Sequence, residues 1–255
     1  MKICYIKLYK ERNERKGFGI FIITALLLSA FLFGIALINR NKAVMSSESI
    51  EKEQVIIIDA GHGGEDSGAV GKNGVLEKDL NLAVAMTVGR ILENNGFKVI
   101  YTRTEDKLLY KEEENVKGIR KISDLKNRCK IANENPDAIF VIIHMNSFGK
   151  EKYSGLQVYY SEGKEESMAI AEKIQNSVRT ALQPDNNRKI KSSQSMYVLD
   201  NTDNVAILIE CGFLTNEDEC KRLSEKEYQN NLSFAIVCGI IEYVEEKNFN
   251  EGYKK

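Results

Sequence analysis

The stretch Val55-Ile56-Ile57-Ile58-Asp59-Ala60-Gly61-His62-Gly63-Gly64 decides the fold. Its first four residues are all β-branched, which is typical of a strand buried on both faces of a parallel sheet. Polar and glycine residues follow at once, and they include His62, one of the two histidines of the chain. In open α/β sheets ligands collect at the carboxyl ends of the strands, so this stretch predicts a functional edge.

Two further apolar runs have the same form. Residues 138–143 have the sequence AIFVII and precede His144, and residues 205–209 have the sequence VAILI and precede Glu210. The runs alternate with helical patterns, which predicts βαβ units. We therefore expect an α/β fold with a twisted, largely parallel sheet of about six strands and helices on both faces.

The helix boundaries follow from capping and breaking residues. Asp79 is predicted to cap one helix and Asn95-Gly96 to end it, whereas Asp124 is predicted to open a second helix. Residues 104–122 are highly charged, which predicts a solvated loop or a mobile helical insertion between these two helices. The last helix is expected at about residues 225–246.

Composition limits the class of protein. The chain has 255 residues, a formal net charge of −1 and 43% hydrophobic residues, which suits one globular domain with additional segments. A charge this close to neutral argues against nucleic acid as a partner, because nucleic-acid binders usually carry a basic face. The five cysteines include no CxxC pair, so zinc-finger and thioredoxin signatures are absent. Buried free thiols are expected, with disulfides outside the cell as the alternative for the four cysteines that follow Cys4.

The N-terminal region predicts a membrane anchor. Residues 17–38 carry no charge, and as a helix they would be about 33 Å long, enough to cross a bilayer core of about 30 Å. Basic residues are concentrated in residues 1–16, which predicts a cytoplasmic N-terminus and a chain that continues outside the cytoplasm. We expect an uncleaved signal anchor, with a cleaved signal and a secreted protein as the alternative. Residues 39–53 are predicted to be a linker, 54–247 the catalytic domain and 248–255 a tail.

The candidate site combines the two histidines with acidic residues. His62, His144 and Glu77, which lies where the glycine-rich loop enters the next helix, form a recurrent ligand set of catalytic zinc sites. The alternative is that both histidines are ordinary residues at strand ends. Asp59, Glu65 and Asp66 are other candidate acids in this region. Asp59 is predicted to orient His62 through its second ring nitrogen, while Glu65 and Asp66 are interpreted as ordinary loop acids.

Glu210 directly continues an apolar run. A carboxylate is costly to bury unless it is paired or has a function, so a general base facing a metal-bound water is the favoured interpretation. An ion pair with a core arginine such as Arg103 is the alternative. The neighbouring Cys211 is an unfavoured nucleophile, because it would point to the opposite face and has no evident histidine partner.

These residues resemble the zinc-dependent N-acetylmuramoyl-L-alanine amidases. Four motifs carry the resemblance, in the order of the family: residues 56–64 (IIIDAGHGG), 76–79 (LEKD), 143–147 (IHMNS) and 208–216 (LIECGFLTN). Thr102-Arg103 and residues 125–128 and 132–133 match as well. Ala60 stands where many members have proline and Cys211 where many have valine, and neither change removes a functional group.

The resemblance implies the site residues. By this resemblance His62, Glu77 and His144 are the ligands of one Zn²⁺, Glu210 is the catalytic glutamate, and Asn146 is a weaker candidate for substrate contact. The implied reaction is hydrolysis of the amide between the lactyl group of N-acetylmuramic acid and L-alanine of peptidoglycan stem peptides.

The resemblance also implies a biological setting. Residues 128–131 and 195–199 are most similar to the germination-specific branch, which trims spore cortex peptidoglycan so that muramic-δ-lactam can form. Some members of that branch need a partner lipoprotein, so an activating lipoprotein is a candidate partner beside peptidoglycan and the membrane. The alternatives are a vegetative amidase for cell separation, a zinc peptidase that cuts within the stem peptide, and a non-catalytic wall-binding module.

Overall fold

The computed structural model describes residues 54–72, 74–110, 113 and 120–253. The predicted cytoplasmic segment 1–16, the anchor 17–38 and the linker 39–53 all lie outside the described residues. Within the described ranges, no helix has both the length and the apolar character needed to cross a bilayer.

The described residues contain a six-stranded sheet. Its strands are β1 (Val55–Ala60), β2 (Lys98–Tyr101), β3 (Ile139–Asn146), β4 (Gln157–Tyr160), β5 (Lys191–Ser192) and β6 (Val205–Phe213). Their spatial order is β2-β1-β3-β6-β4-β5. Only the pairing of β4 with β6 is antiparallel. The prediction of a largely parallel sheet is therefore confirmed.

Helices cover both faces of the sheet. They are α1 (Glu77–Asn94), α2 (Arg120–Asn133), α3 (Glu165–Leu182), α4 (Tyr197–Asp200), α5 (Glu217–Ser224) and α6 (Lys226–Gly252). Ile56 and Ile58 of β1 belong to a buried cluster with apolar residues of α1, α3 and α6. Ile57 and Phe140 belong to a second buried cluster, which includes residues of α2 and α4. Successive strand residues thus face different helical layers, as the pleat of a buried strand requires.

The same alternation sets the position of the polar residues. Asp59 lies two residues after Ile57 on the same face of β1. In the same way, His144 follows Ile142 on β3 and Glu210 follows Leu208 on β6, and all of these apolar residues belong to the second buried cluster. His144 and Glu210 are direct partners in the parallel ladder, and Glu210 is paired with Gln157 of β4. Three neighbouring strands therefore carry His144, Glu210 and Gln157 in one row.

Several predicted boundaries differ from the structure. Helix α1 begins at Glu77 after Leu76, without a side-chain cap, so Asp79 is not its cap. Helix α2 already includes Arg120, and Asp124 lies within it, where its carboxylate accepts a hydrogen bond from Arg128 Nε instead of capping the helix. Helix α6 continues to Gly252, so most of the predicted tail is helical.

The cysteines within the described residues are free thiols. Cys129, Cys211 and Cys220 are buried and Cys238 is partly buried. The expectation of buried thiols is confirmed for these three, and Cys4 lies outside the described residues.

Candidate metal centre

A tight turn after β1 positions His62. The backbone N–H and C=O groups of Gly63 and Asp66 exchange two hydrogen bonds of 3.0 Å. His62 has a φ of 61°, in the left-handed region that residues other than glycine rarely occupy. A strained backbone of this kind persists only where the surrounding structure enforces it, and such positions cluster at functional sites.

The turn brings His62 together with Glu77 and His144. Glu77 Oε1 lies 3.2 Å from His62 Nε2 and 2.8 Å from His144 Nδ1. The two imidazole centroids are 4.8 Å apart. Each of the three side chains offers one ligand atom, and these three atoms all lie within 4.8 Å of one another. A tetrahedral zinc ion with bonds of about 2.0–2.1 Å would set its ligand atoms roughly 3.4 Å apart, so the donor set fits such an ion.

Two glycines make this close approach possible. A Cβ atom on Gly61 would lie 2.2 Å from His144 Nε2. A Cβ atom on Gly68 would lie 2.5 Å from Glu77 Oε2 and 2.7 Å from His62 Cδ2. Any larger residue at either position would have to displace one of the three side chains, because these distances are far below van der Waals contact.

Outer contacts hold the three side chains in place. His62 Nδ1 lies 2.8 Å from Asp66 Oδ2. Glu77 Oε2 accepts a hydrogen bond from Ala69 N at 2.8 Å, and Glu77 Oε1 accepts one from Met145 N at 3.2 Å. A carboxylate behind a ligating imidazole fixes the tautomer and orientation of the ring.

The prediction that Asp59 orients His62 is wrong, because Asp66 occupies that position. The side chain of Asp59 instead accepts hydrogen bonds from Thr102 and Arg128. Asp66, interpreted from the sequence as an ordinary loop acid, is the residue that contacts the imidazole.

The electrostatics of the three groups support a cation site. Burial alone would raise the pKa of Glu77, but hydrogen bonds from His144 and His62 outweigh it and hold that pKa well below its usual range. Burial alone would lower the pKa of His62, but Glu77 and Asp66 outweigh it and raise that pKa. A carboxylate that stays ionised between two imidazoles provides the negative charge that a divalent metal ion needs.

Glu210 faces this group from β6. Its Oε2 atom is buried and has no hydrogen-bond partner within the described part of the chain. Burial raises the pKa of Glu210 to about 7, against the lowering effect of His144 and with a further rise from the charge of Glu77. The alternative of an ion pair with Arg103 is wrong, because that guanidinium donates to the carbonyl oxygens of Ala60, Gly61, Lys78 and Glu105. A partly buried carboxylate with one unpartnered oxygen and a pKa near neutrality is well suited to accept and return a proton.

Cys211 faces away from the site. It is fully buried in the apolar cluster on the opposite side of the sheet, and burial raises the pKa of its thiol. A buried thiol of high pKa is unreactive, which removes the residue from consideration as a nucleophile.

A buried ion network stabilises the turn that carries His62. Arg128 forms ion pairs with Asp59 and Asp124, and both acids are almost completely buried. Arg128 also donates hydrogen bonds of 2.8 Å to the carbonyl oxygens of Ala60 and His62. Residues 125–128 carry part of the family resemblance, but the resemblance alone does not predict this network. The spacing of Asp124 and Arg128, four residues apart on one helix, was the available signal.

Asn146 is the last residue of β3 and is partly exposed. Its carbonyl oxygen accepts a hydrogen bond from Leu214 N at 2.8 Å. No hydrogen bond among the described residues involves its side-chain amide, so the amide is available to a bound molecule.

Two imidazoles and a carboxylate at the carboxyl edge of an α/β sheet, faced by a second carboxylate, fit the active site of a metal-dependent hydrolase. The chain belongs to the N-acetylmuramoyl-L-alanine amidase family, whose family model matches residues 56–242. It is accordingly a hydrolase with N-acetylmuramoyl-L-alanine amidase activity.

The chain is also similar to individual relatives and to a solved structure. The chain is 37% identical to the germination-specific N-acetylmuramoyl-L-alanine amidase of Bacillus subtilis (strain 168) over 194 residues, covering 76% of this chain and 81% of the relative. It is 38% identical to the uncharacterized protein YqiI of the same organism over 221 residues, covering 86% of this chain and 97% of the relative. The structure of the CwlD amidase from Clostridioides difficile in complex with the GerS lipoprotein matches with a TM-score of 0.72 and 39% identity, covering 75% of this chain and 98% of that chain.

Proposed function

We propose that the enzyme cleaves stem peptides from peptidoglycan, with one Zn²⁺ held by His62, Glu77 and His144 and with Glu210 as the proton carrier. The observation that carries this proposal is the position of Glu210. It is the ladder partner of His144, and its Oε2 atom is buried without a hydrogen bond within the described residues.

The bound ion would supply a Lewis acid that polarises the amide carbonyl and makes a water molecule acidic enough to attack near neutral pH. The residues of the chain supply positioning and proton transfer. Glu210 takes a proton from the attacking water and then delivers it to the nitrogen of L-alanine as the amide bond breaks. The products are a lactyl carboxylate on the sugar and a peptide with a free N-terminal L-alanine.

A small cavity lies beside the histidines. It is lined by polar and charged side chains together with Leu125 and Val198, and its lining includes His62 and His144. Asn146 is the proposed contact for a polar group of the substrate, because its amide is partly exposed next to β6.

The products provide the test of this activity. Purified protein is incubated with peptidoglycan with and without a metal chelator, and the new termini are identified by mass spectrometry. We expect free N-terminal L-alanine only without chelator, and no release by the Glu210→Gln variant. New termini within the stem peptide would favour the zinc peptidase alternative, and the absence of any new termini would favour a non-catalytic binding module.

We further propose a role in spore cortex maturation, outside the cytoplasm, leading to muramic-δ-lactam and to germination. The similarity to a germination-specific relative and to the CwlD amidase supports this proposal. Because that CwlD amidase was solved with a lipoprotein, a lipoprotein is also the proposed partner of this enzyme. Spores that lack the enzyme are expected to lack muramic-δ-lactam, whereas unseparated growing cells with normal spores would favour a vegetative role.

The segment 17–38 is the proposed membrane anchor, since it carries no charge and follows a basic segment. Fractionation of cells that express the full chain tests it. We expect the enzyme to remain with membranes after a salt wash, and recovery of a shortened chain in the medium would favour a cleaved signal.

A further inference from the structure

Arg188 lies on the opposite side of Glu210 from His144. Glu210 is paired with Gln157 across the antiparallel β4–β6 ladder. The Oε1 atom of Gln157 accepts a hydrogen bond of 2.7 Å from Arg188 Nη2. The charge of Arg188 is close enough to lower the pKa of Glu210, although it is the smallest of the effects on that group. The row of polar side chains that begins at His144 therefore continues through Glu210 and Gln157 to a cation.

The side chain of Arg188 is held in a fixed orientation. Its guanidinium carbon lies 4.7 Å from the centroid of the Phe213 ring, a distance typical of a cation–π contact. Gln157 is fixed in turn by a hydrogen bond of 2.7 Å from its Nε2 atom to Lys189 O. The Nη2 atom of Arg188 is thus held by a hydrogen bond, and one face of the guanidinium is covered by the ring of Phe213.

Within the described ranges of the chain no carboxylate lies within ion-pair distance of this guanidinium, although its charge acts on Glu210 and on Glu219 from farther away. Its Nε atom is buried and has no hydrogen-bond partner there. The nearby acid Glu219 accepts hydrogen bonds from Gly155 N and Phe213 N instead. A partly buried arginine with an unpartnered nitrogen and no directly bound carboxylate is stabilised when another molecule supplies a negative charge at hydrogen-bond distance. The planar fork of a guanidinium is suited to a carboxylate, which it can bind with two parallel hydrogen bonds.

Aromatic side chains extend from Arg188 toward the surface. The rings of Phe213 and Tyr153 have centroids 6.2 Å apart, and those of Tyr153 and Phe148 have centroids 5.2 Å apart. Phe148 is 55% exposed although it is large and apolar. Asn146 is the ladder partner of Phe213, so this aromatic series begins beside the carboxyl end of β3. It forms an apolar wall along which an extended substrate can lie, with the cation at its inner end.

We propose that Arg188 is the binding site for a carboxylate of the substrate peptide, which makes the enzyme selective for stem peptides with a free acid near the scissile amide. This proposal rests on the proposed function, since it concerns the substrate of the same reaction. A charge-assisted, bidentate pair inside a cleft is strong enough to change affinity tenfold or more. Selectivity of that size is therefore expected between an acidic peptide and its amidated counterpart.

Two synthetic substrates test the proposal. They are N-acetylmuramoyl tripeptides that differ only at the second residue, which carries either a free α-carboxylate or the corresponding amide. For the wild-type protein we expect kcat/KM to be about tenfold or more higher for the acidic substrate. Most of this difference is expected in KM, because Arg188 binds a group that does not react. Equal kcat/KM values for the two substrates would overturn the proposal.

Variants of Arg188 separate recognition from support of the fold. In Arg188→Met the acidic substrate is expected to lose about tenfold or more in kcat/KM, while the amidated substrate stays within about twofold. Arg188→Lys keeps the charge without the fork and should fall between the two. Arg90→Met, which replaces an exposed arginine on α1, is the matched control and should change neither substrate. Equal losses on both substrates in Arg188→Met would make Arg188 a support for Gln157 and Phe213 and would overturn the proposal.

Binding measurements distinguish this inference from the proposed function. Calorimetry with the released acidic and amidated peptides, on the wild-type protein and on Arg188→Met, does not require turnover. Preferential binding of the acidic peptide that is lost in Arg188→Met supports the carboxylate site even if neither substrate is hydrolysed, an outcome that would contradict the proposed function alone. Equal binding of the two peptides to the wild-type protein would overturn the carboxylate site even if hydrolysis is normal.

Discussion

The start of helix α1 and the second half of strand β6 each bring a glutamate to the candidate metal centre, and the two environments differ. Both oxygens of Glu77 accept hydrogen bonds, from backbone N–H groups and from the Asn81 side chain, and one of them faces both imidazoles. The Oε2 atom of Glu210 has no partner among the described residues. The pKa of Glu77 is held well below its usual range, whereas that of Glu210 is raised to about 7.

This difference indicates a division of roles between two residues of the same type. Glu77 is stabilised as an anion and is suited to hold a cation. Glu210 is close to the point at which it can both accept and donate a proton. A pair of carboxyl groups whose pKa values are moved apart by their surroundings is a common arrangement in acid–base catalysis.

The largest expected effect comes from removing an imidazole that faces Glu77. In His144→Ala, metal binding and amide hydrolysis should both fall to background, because a proposed metal ligand and a partner of Glu77 are lost together. Elemental analysis and peptide release on the same sample measure both. Full metal content in this variant would contradict the proposed role of His144 as a metal ligand.

Breaking the ion network of Arg128, Asp59 and Asp124 is expected to lower the stability of the fold. Arg128→Leu leaves Asp59 and Asp124 buried without a counter-charge, so the free energy of unfolding should fall by about 3–5 kcal/mol. Urea unfolding measures this change. The control is Arg222→Leu at an exposed arginine, which should change stability by less than about 0.5 kcal/mol. Similar losses in the two variants would refute the role of the network.

A smaller effect is expected from the carboxylate behind His62. Asp66→Asn keeps the size of the side chain but weakens its hold on the imidazole, so metal affinity should fall about 10–100-fold. Competition with a chelator of known affinity measures the change. Glu65→Gln is the matched control, because Glu65 contacts Arg120 instead of a histidine. An equal loss in Glu65→Gln would indicate an effect of net charge alone.

The smallest effect is expected at Cys211, next to Glu210 in sequence. Cys211→Ala should leave kcat within about twofold, because the thiol lies on the other face of the sheet and strand side chains alternate. Steady-state hydrolysis measures it, with unfolding followed in parallel. A folded Cys211→Ala variant without activity would require a different account of β6.

The sheet and the convergence of the histidines were predictable from local sequence. Runs such as Val55–Ala60 are apolar enough to identify buried strands, and parallel strands bring their carboxyl ends to one edge. This reasoning brought His62, His144 and Glu210 together without any knowledge of side-chain contacts.

The contacts around these residues were not predictable in the same way. The choice of Asp66 over Asp59 depends on the left-handed backbone of His62, which closes the turn on itself. The position of Arg188 depends on the antiparallel pairing of β4 with β6, which joins segments far apart in sequence.

Helix α5 was missed although a local signal was present. The side chain of Asn216 accepts a hydrogen bond from Glu219 N, which is the cap that an Asn three residues before a Glu predicts. The helix has only eight residues, too few for an apolar periodicity to be evident. Its acidic residue Glu219 then binds Gly155 N and Phe213 N, contacts that no local pattern describes.

The division of roles between the two glutamates is tested most directly by making the same substitution at both positions. Zinc content and amide hydrolysis are measured on the same purified samples of Glu77→Gln and Glu210→Gln. We predict that Glu77→Gln loses zinc and activity together, whereas Glu210→Gln keeps one zinc per chain and loses hydrolysis by about 10²–10⁴-fold. Normal hydrolysis by Glu210→Gln, or full zinc content in Glu77→Gln, would contradict the account.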